Sequence, residues 1–147
     1  MATRTFIVHR CTDPAGPTEV KGEGVGRTMC VHRPLSDGET TTLRSEWAVS
    51  HQRTGLLATI RTKGKDDAKA YAAGFDRILR HFGDAGEPGK GDVLMSGTRG
   101  RAINRYHRVV RAMPDQWLSP SNRLINLRLD RQAAIELAEA AIREEEF

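Results

Sequence analysis

Guanidinium groups are concentrated in one stretch of this sequence. Between Asp92 and Asp115 there is no acidic residue, whereas five arginines and one histidine occur there. These basic residues are Arg99, Arg101, Arg105, His107, Arg108 and Arg111. Residues three or four positions apart share one face of a helix, and a row of guanidinium groups can form paired hydrogen bonds with nucleic-acid phosphates. The stretch therefore predicts a polyanion-binding helix, on which Asn104 could also read a base edge.

A second interpretation keeps the same arginines occupied within the protein. Residues 130–147 contain six acidic and two basic residues, a net charge of −4, whereas residues 1–129 contain 21 basic and 13 acidic residues, a net charge of +8. Arg101, Arg105 and Arg108 form one helical stripe, which an acidic C-terminal helix could neutralise or mask until a partner binds. The charge pattern leaves nucleic acid, a nucleoprotein complex and the chain's own C-terminal helix as alternatives.

Two histidine–cysteine pairs are the candidates for metal ligands. His9 and Cys11 lie two residues apart, as do Cys30 and His32. Residues two apart on a strand point to one side, so an antiparallel pairing of His9 with His32 would bring all four side chains together. Zn²⁺ favours four-coordinate Cys/His sites, but ligands two apart on a flat strand usually lie too far apart to complete a tetrahedron. We therefore expect no cofactor, with zinc or a cross-strand disulfide as less favoured alternatives.

Two weaker patterns bear on enzyme chemistry. The spacing Gly97-x-x-Gly100-x-Ala102 resembles the pyrophosphate turn of acetyltransferases, but Gly97 stands where that turn opens with Gln or Arg. His51 and His107 could act as a general acid and base, yet no nucleophile motif or acidic metal cluster accompanies them. We expect a protein without catalytic activity, and a small metal- or nucleotide-binding enzyme is the alternative.

The elements that position these residues predict an α+β fold. Apolar alternation and β-branched residues indicate strands over residues 5–11, 28–33, 93–95 and 123–129, and a hairpin over residues 46–62. Residues 13–27 are rich in glycine and predict a loop or a glycine-interrupted ribbon. Helical periodicity predicts helices from Asp66 to Phe82, over residues 99–113 and after Asp130. The expected fold is an antiparallel sheet of about four to five strands with two to three helices on one face.

Length and composition define the class of protein. A chain of 147 residues predicts one domain over residues 1–147, with a flexible linker at residues 83–92. No apolar run approaches the roughly 18 residues of a membrane-spanning helix, which argues against a transmembrane protein. The N-terminal residues lack the pattern of a secretory signal, and the chain has only two cysteines. We therefore expect a cytoplasmic protein whose cysteines are free thiols or metal ligands.

One segment resembles a known group of proteins. Trp47, Val49, His51, Thr54 and Gly55 precede an alanine-rich helix. This Trp-x-Val-x-His-x-x-Thr-Gly hairpin with its following helix is similar to that of small uncharacterised phage and mobile-element proteins. The resemblance covers about 30 residues and implies an accessory role in a bacterial host cell. That role would be binding of phage DNA or blocking of a host nuclease such as a CRISPR complex.

Together these observations predict a non-enzymatic, phage-type accessory protein that binds nucleic acid. The predicted binding residues are Arg99, Arg101, Asn104, Arg105, Arg108 and Arg111. The main alternative is an anti-CRISPR-like inhibitor that binds the nucleic-acid groove of a host defence complex. Neither interpretation involves a membrane, and a dimer is compatible with both.

Overall fold

The computed structural model describes residues 3–8, 18–33, 46–112, 124–125 and 129–145 of the chain. These residues form six strands and three helices in an α+β arrangement. The strands are β1 (Arg4–Val8), β2 (Thr18–Val25), β3 (Met29–His32), β4 (Trp47–His51), β5 (Leu57–Thr62) and β6 (Leu124–Ile125). The helices are α1 (Lys65–Phe82), α2 (Gly97–Ala112) and α3 (Arg131–Glu145).

The strands form one sheet in sequence order, from β1 to β6. Each of the first five strands is antiparallel to its neighbour, and β6 runs parallel to β5. The predicted α+β class, with an antiparallel sheet and packed helices, is confirmed. The predicted hairpin over residues 46–62 is also confirmed, because β4 and β5 pair with Trp47 opposite Thr62.

The three predicted helices are confirmed with shifts of one or two residues at their ends. Asp66 and Asp67 lie in the first turn of α1, and Arg80 and His81 lie in its last turn. This charge order suits the helix dipole. At the start of α3 the Asp130 carboxylate accepts a hydrogen bond of 2.8 Å from the Ala133 N–H, as an N-cap does. No helix within the described ranges is long and apolar enough to cross a membrane.

The main core lies between the helices and one face of the sheet. Val31, Val49 and Ile60 on that face pack with buried side chains of α1. Helices α2 and α3 pack against α1 and against each other in the same core. Alanines are frequent at the buried positions of α1 and α3, and their small side chains let the helices approach closely. This packing leaves one side of α2 facing outwards.

Two predictions about the strands are wrong. Residues 93–95 form turns and not a strand. The predicted pairing of residues 5–11 with residues 28–33 does not occur between β1 and β3, because β2 lies between them. Gly26 has a φ of 60°, a left-handed conformation that favours glycine, and the tight turn there folds β2 directly back on β3.

Candidate functional site

A cleft of about 510 Å³ opens beside α2. Helix α2 forms one wall, and the sheet and α1 form the floor. The third side is the segment of residues 83–96 that joins α1 to α2, which we call the connecting segment. The lining residues are Met29, His51, Leu56, Leu57, Ala58, Phe75, Gly91, Leu94, Met95, Asn104, His107, Arg108 and Arg111. The cleft therefore combines an apolar interior with polar and basic side chains of α2 along one wall.

Arg99 holds the third side of the cleft in place. Its Nε atom donates to the Leu94 carbonyl at 2.8 Å, and its Nη2 atom donates to the Val93 carbonyl at 2.6 Å. Its Nη1 atom donates to the Gly83 carbonyl at 3.2 Å. The guanidinium group thus binds both ends of the connecting segment, and the predicted role of Arg99 in binding a partner competes with this internal role.

The start of α2 is packed against the segment before it. A Cβ atom at Gly100 would overlap the Met95 carbonyl oxygen. Gly100 therefore accommodates the chain's own backbone, and the space beside it is not open to a pyrophosphate. The predicted glycine pattern at residues 97–102 is explained by this close approach.

His51 joins the hairpin to the connecting segment. Its Nδ1 atom accepts hydrogen bonds from the Thr54 hydroxyl at 2.8 Å and the Thr54 N–H at 3.3 Å. Its Nε2 atom therefore carries the proton and donates to the Asp84 carboxylate at 2.5 Å. Burial lowers the pKa of His51, against the opposing effect of Asp84.

The order hydroxyl, imidazole and carboxylate is also that of a catalytic triad, but Thr54 is not placed for nucleophilic attack. Its side chain is fully buried, and its hydroxyl oxygen accepts a hydrogen bond from the Leu56 N–H at 3.2 Å. The Thr54 carbonyl accepts a further bond from the Gly89 N–H at 2.8 Å. These contacts connect the hairpin turn to the connecting segment, so the arrangement stabilises the cleft.

His107 forms the part of the α2 wall that lies next to the core. The hydroxyl of Tyr71 lies 2.6 Å from its Nε2 atom. Burial, together with the charge of Arg111, lowers the pKa of His107 to about 4. The ring is therefore neutral at pH 7. His107 and His51 line the same cleft, as the sequence could not show.

The outer face of α2 carries a row of four exposed polar residues. Arg101, Asn104, Arg108 and Arg111 follow one another at spacings of three, four and three positions, which places them on one side of the helix. The last three also line the cleft. We call these four residues the outer stripe of α2.

Arg105 points away from the cleft, towards α3. Its Nη2 and Nε atoms donate to the Ala141 carbonyl at 2.9 and 3.2 Å. Its Nε atom also lies 3.4 Å from a carboxylate oxygen of Glu144. For this arginine, the interpretation that the basic helix is neutralised by the acidic C-terminal helix is confirmed.

The metal-ligand candidates are only partly described. Cys30 is buried with Phe6, Val8 and Val20, and burial raises the pKa of its thiol to about 12. His32 is buried, with its Nδ1 atom 2.8 Å from the Arg33 carbonyl and its Nε2 atom 2.7 Å from the Ser50 hydroxyl.

Both nitrogens of the His32 ring thus have partners within the protein. His9 and Cys11 lie outside the described residues. Among residues that are described, no three His, Cys, Asp or Glu side chains form a group suited to a metal ion. The zinc alternative at His9, Cys11, Cys30 and His32 therefore gains no geometric support from the described pair.

Sequence reasoning found one wall of the cleft but not the cleft itself. It missed Leu94 and Met95 because it treated residues 93–95 as a strand, and it missed Asp84 because residues 83–92 resemble a flexible linker. The acidic residue directly after the glycine that ends α1 was a signal for a polar contact there. Comparison of the chain with protein-family models, curated proteins and solved structures found no match.

Proposed function

We propose that this chain is a non-enzymatic accessory protein that binds nucleic acid through the outer stripe of α2. The observation that carries the proposal is the stripe itself: three arginines and one asparagine on the exposed side of a helix that contains no acidic residue. Guanidinium groups spaced along one face suit successive phosphates, and an asparagine among them suits a base edge.

The packing of α2 supports three of its five arginines as members of the proposed interface. Arg99 and Arg105 are half-buried and donate to carbonyl groups of the protein, whereas Arg101, Arg108 and Arg111 are exposed. The proposed interface therefore has three arginines in place of the five in the acid-free stretch. Fewer contacts predict a weaker dependence of binding on salt than the sequence suggests.

The test is binding of labelled duplex and single-stranded oligonucleotides over a series of salt concentrations. Each phosphate contact on duplex DNA contributes roughly 0.9 to the slope of log K against log salt. Replacing Arg101, Arg108 and Arg111 together by alanine should therefore reduce the slope by up to about 2.7. The matched control replaces three exposed cations elsewhere, Lys21, Lys63 and Arg131, which removes the same charge.

Binding that weakens equally in both triple variants would show attraction to net charge and would contradict a specific role for the outer stripe. Absence of binding at low salt would contradict nucleic-acid binding altogether. Circular dichroism and thermal unfolding of each variant should match those of the unmodified protein, because all six positions are exposed.

One observation favours the alternative of a protein target. Val93, Met95 and Val109 are exposed by 54, 38 and 44 %, and all three lie on α2 or directly before it. Exposed apolar side chains beside arginines are typical of protein interfaces. A host nucleoprotein complex that is retained after nuclease treatment, and lost in a Val93→Asp/Val109→Asp variant, would favour the inhibitor.

A further inference from the structure

We propose that the cleft beside α2 binds a small amphipathic anion, with an apolar body in the cleft and one carboxylate or phosphate head at the arginines of the α2 wall. This binding goes beyond the proposed contact with nucleic acid, which needs only the outside of the helix. The proposal rests on the shape, the lining and the charge of the cleft.

The interior of the cleft suits an apolar body. Met29, Leu57 and Ala58 contribute to it from the sheet, Phe75 contributes from α1, and Leu94 contributes from the connecting segment. A volume of about 510 Å³ lies within the range of small-molecule sites. Burial of hydrocarbon against such side chains is favourable in proportion to the area removed from water.

The two histidines keep this interior uncharged near neutral pH. The Nε2–H group of His51 donates a hydrogen bond to the Asp84 carboxylate, and the Nε2 atom of His107 is paired with the Tyr71 hydroxyl. Burial lowers the pKa of both imidazoles. A ligand body beside them therefore meets two neutral rings, in which both nitrogens of His51 and the Nε2 atom of His107 already have partners. A charged group would be poorly accommodated there.

The charge of the ligand follows from the α2 wall. Asn104, Arg108 and Arg111 line the cleft, and the described lining residues include no carboxylate. A single anionic head is the group that a guanidinium binds with paired, charge-assisted hydrogen bonds. An uncharged apolar ligand would occupy the same interior without making these bonds.

The third side of the cleft is held by hydrogen bonds within the protein. Arg99 fixes the Val93 and Leu94 carbonyls, and the Met95 N–H donates to the Gly91 carbonyl at 3.0 Å. The side chain of Arg53 donates to the Gly86 carbonyl at 2.8 Å. A wall held by this many hydrogen bonds needs little ordering when a ligand enters, which favours binding.

The first experiment compares three probes of equal chain length by titration calorimetry: decanoate, decyl phosphate and decanol. We expect both anions to bind at least about tenfold more tightly than decanol, because only they form charge-assisted hydrogen bonds with the arginines. The ratio of decanoate to decyl phosphate affinity shows which head the site prefers. Equal affinity for decanol and both anions would overturn the proposed role of the arginines.

The second experiment separates the two ends of the site. Arg108→Ala/Arg111→Ala should weaken decanoate binding at least about tenfold and leave decanol binding unchanged. Ala58→Phe should abolish binding of all three probes, because its ring fills the interior, whereas Ala58→Ser should retain binding. Should Ala58→Phe fail to fold, Met95→Glu places a repelling carboxylate at an exposed position of the lining.

The outcomes distinguish this proposal from nucleic-acid binding. Ala58→Phe should keep the salt-dependent binding of oligonucleotides, so loss of decanoate binding alone supports the cleft proposal. Decanoate binding that survives both Ala58→Phe and Met95→Glu would overturn it. Sedimentation that reveals a dimer, and its loss in Ala58→Phe, would show that a second copy of the chain covers the cleft and would also overturn it.

Discussion

The two sides of α2 use the same residue type in different ways. On the inner side, Arg99 and Arg105 are half-buried and donate to carbonyl groups of the connecting segment and of α3. On the outer side, Arg101, Arg108 and Arg111 are exposed. The difference teaches that an arginine-rich helix is not equivalent to a basic surface, because the several N–H groups of a guanidinium can also donate to backbone carbonyls.

The side chain of each inner arginine is oriented by the carbonyl and carboxylate groups near it. Arg105 meets the last turns of α3, where the helix dipole is negative and where Glu144 adds a carboxylate. Arg99 meets three carbonyls of a segment that has turns and no regular ladder of its own. Both arginines therefore donate to backbone carbonyl groups of the protein.

The largest effect is expected at the closest contact on the inner side. Gly100→Ala places a Cβ against the Met95 carbonyl oxygen, so we expect the free energy of unfolding to fall by about 3 kcal/mol. Gly97→Ala is the matched control, since a Cβ there meets nothing within 4 Å. Its φ of 63° is unfavourable for alanine, so we expect the free energy of unfolding to fall by about 1 kcal/mol. Urea denaturation measures both, and equal losses would contradict the close packing.

An effect of up to the same size is expected from protonation of His107 at acid pH. Its folded pKa of about 4 lies below its ordinary value of 6.5, so the unfolded chain binds the proton more tightly. This contribution to stability is constant above about pH 6.5 and falls by up to about 3 kcal/mol as the pH is lowered to 4.

The measurement is the free energy of unfolding against pH for the unmodified protein and for His107→Gln. His51 and His32 also have lowered pKa values and act in the same direction in both proteins, so the difference between the curves isolates His107. Parallel curves between pH 7 and 4 would contradict a neutral His107 in the α2 wall.

The smallest effect is expected from a direct comparison of one arginine on the inner side of α2 with one on the outer side. Arg105→Ala removes two hydrogen bonds to Ala141, so we expect a loss of about 1–2 kcal/mol in the free energy of unfolding. The exposed Glu144 adds little to this value. Arg108→Ala is the matched control on the outer stripe and should change stability by less than about 0.5 kcal/mol.

Oligonucleotide binding should show the reverse order for these two variants. Arg108→Ala should reduce the salt slope, whereas Arg105→Ala should leave it unchanged within error. Arg105→Lys keeps the charge but loses the paired hydrogen bonds, so it should be destabilised like Arg105→Ala. A salt slope reduced equally by Arg105→Ala and Arg108→Ala would remove the distinction between the two sides.

The helices and the hairpin could be predicted because their signals are local. Apolar residues such as Ala72, Phe75 and Leu79 recur at helical spacing, and Gly83 ends α1 as expected. Strand β2 was harder to predict because Gly22 and Gly24 interrupt its apolar alternation. Residues 93–95 carry a short apolar run that fits a strand, but they line the cleft from a turn.

The candidate site was predicted for one wall only. Helical spacing predicted a stripe of Arg101, Arg105 and Arg108. In the structure Arg101 and Arg108 are exposed, whereas Arg105 turns towards α3. The partners of Arg99 and Arg105 could not be predicted from helical spacing. Ala141, for example, lies 36 positions from Arg105 along the chain. Likewise the pairing of His51 with Asp84 spans 33 positions.

The sequence by itself determined the α+β class, the positions of the helices and the excess of positive charge on α2. These properties depend on residue types and on spacings within a few helical turns, so they require no contact between distant parts of the chain. Only the tertiary structure decided which arginines of α2 are half-buried and which are exposed, and that an apolar cleft lies beside them. The reason is physical: hydrogen-bond partners and cavity walls come from elements that meet only when the chain folds.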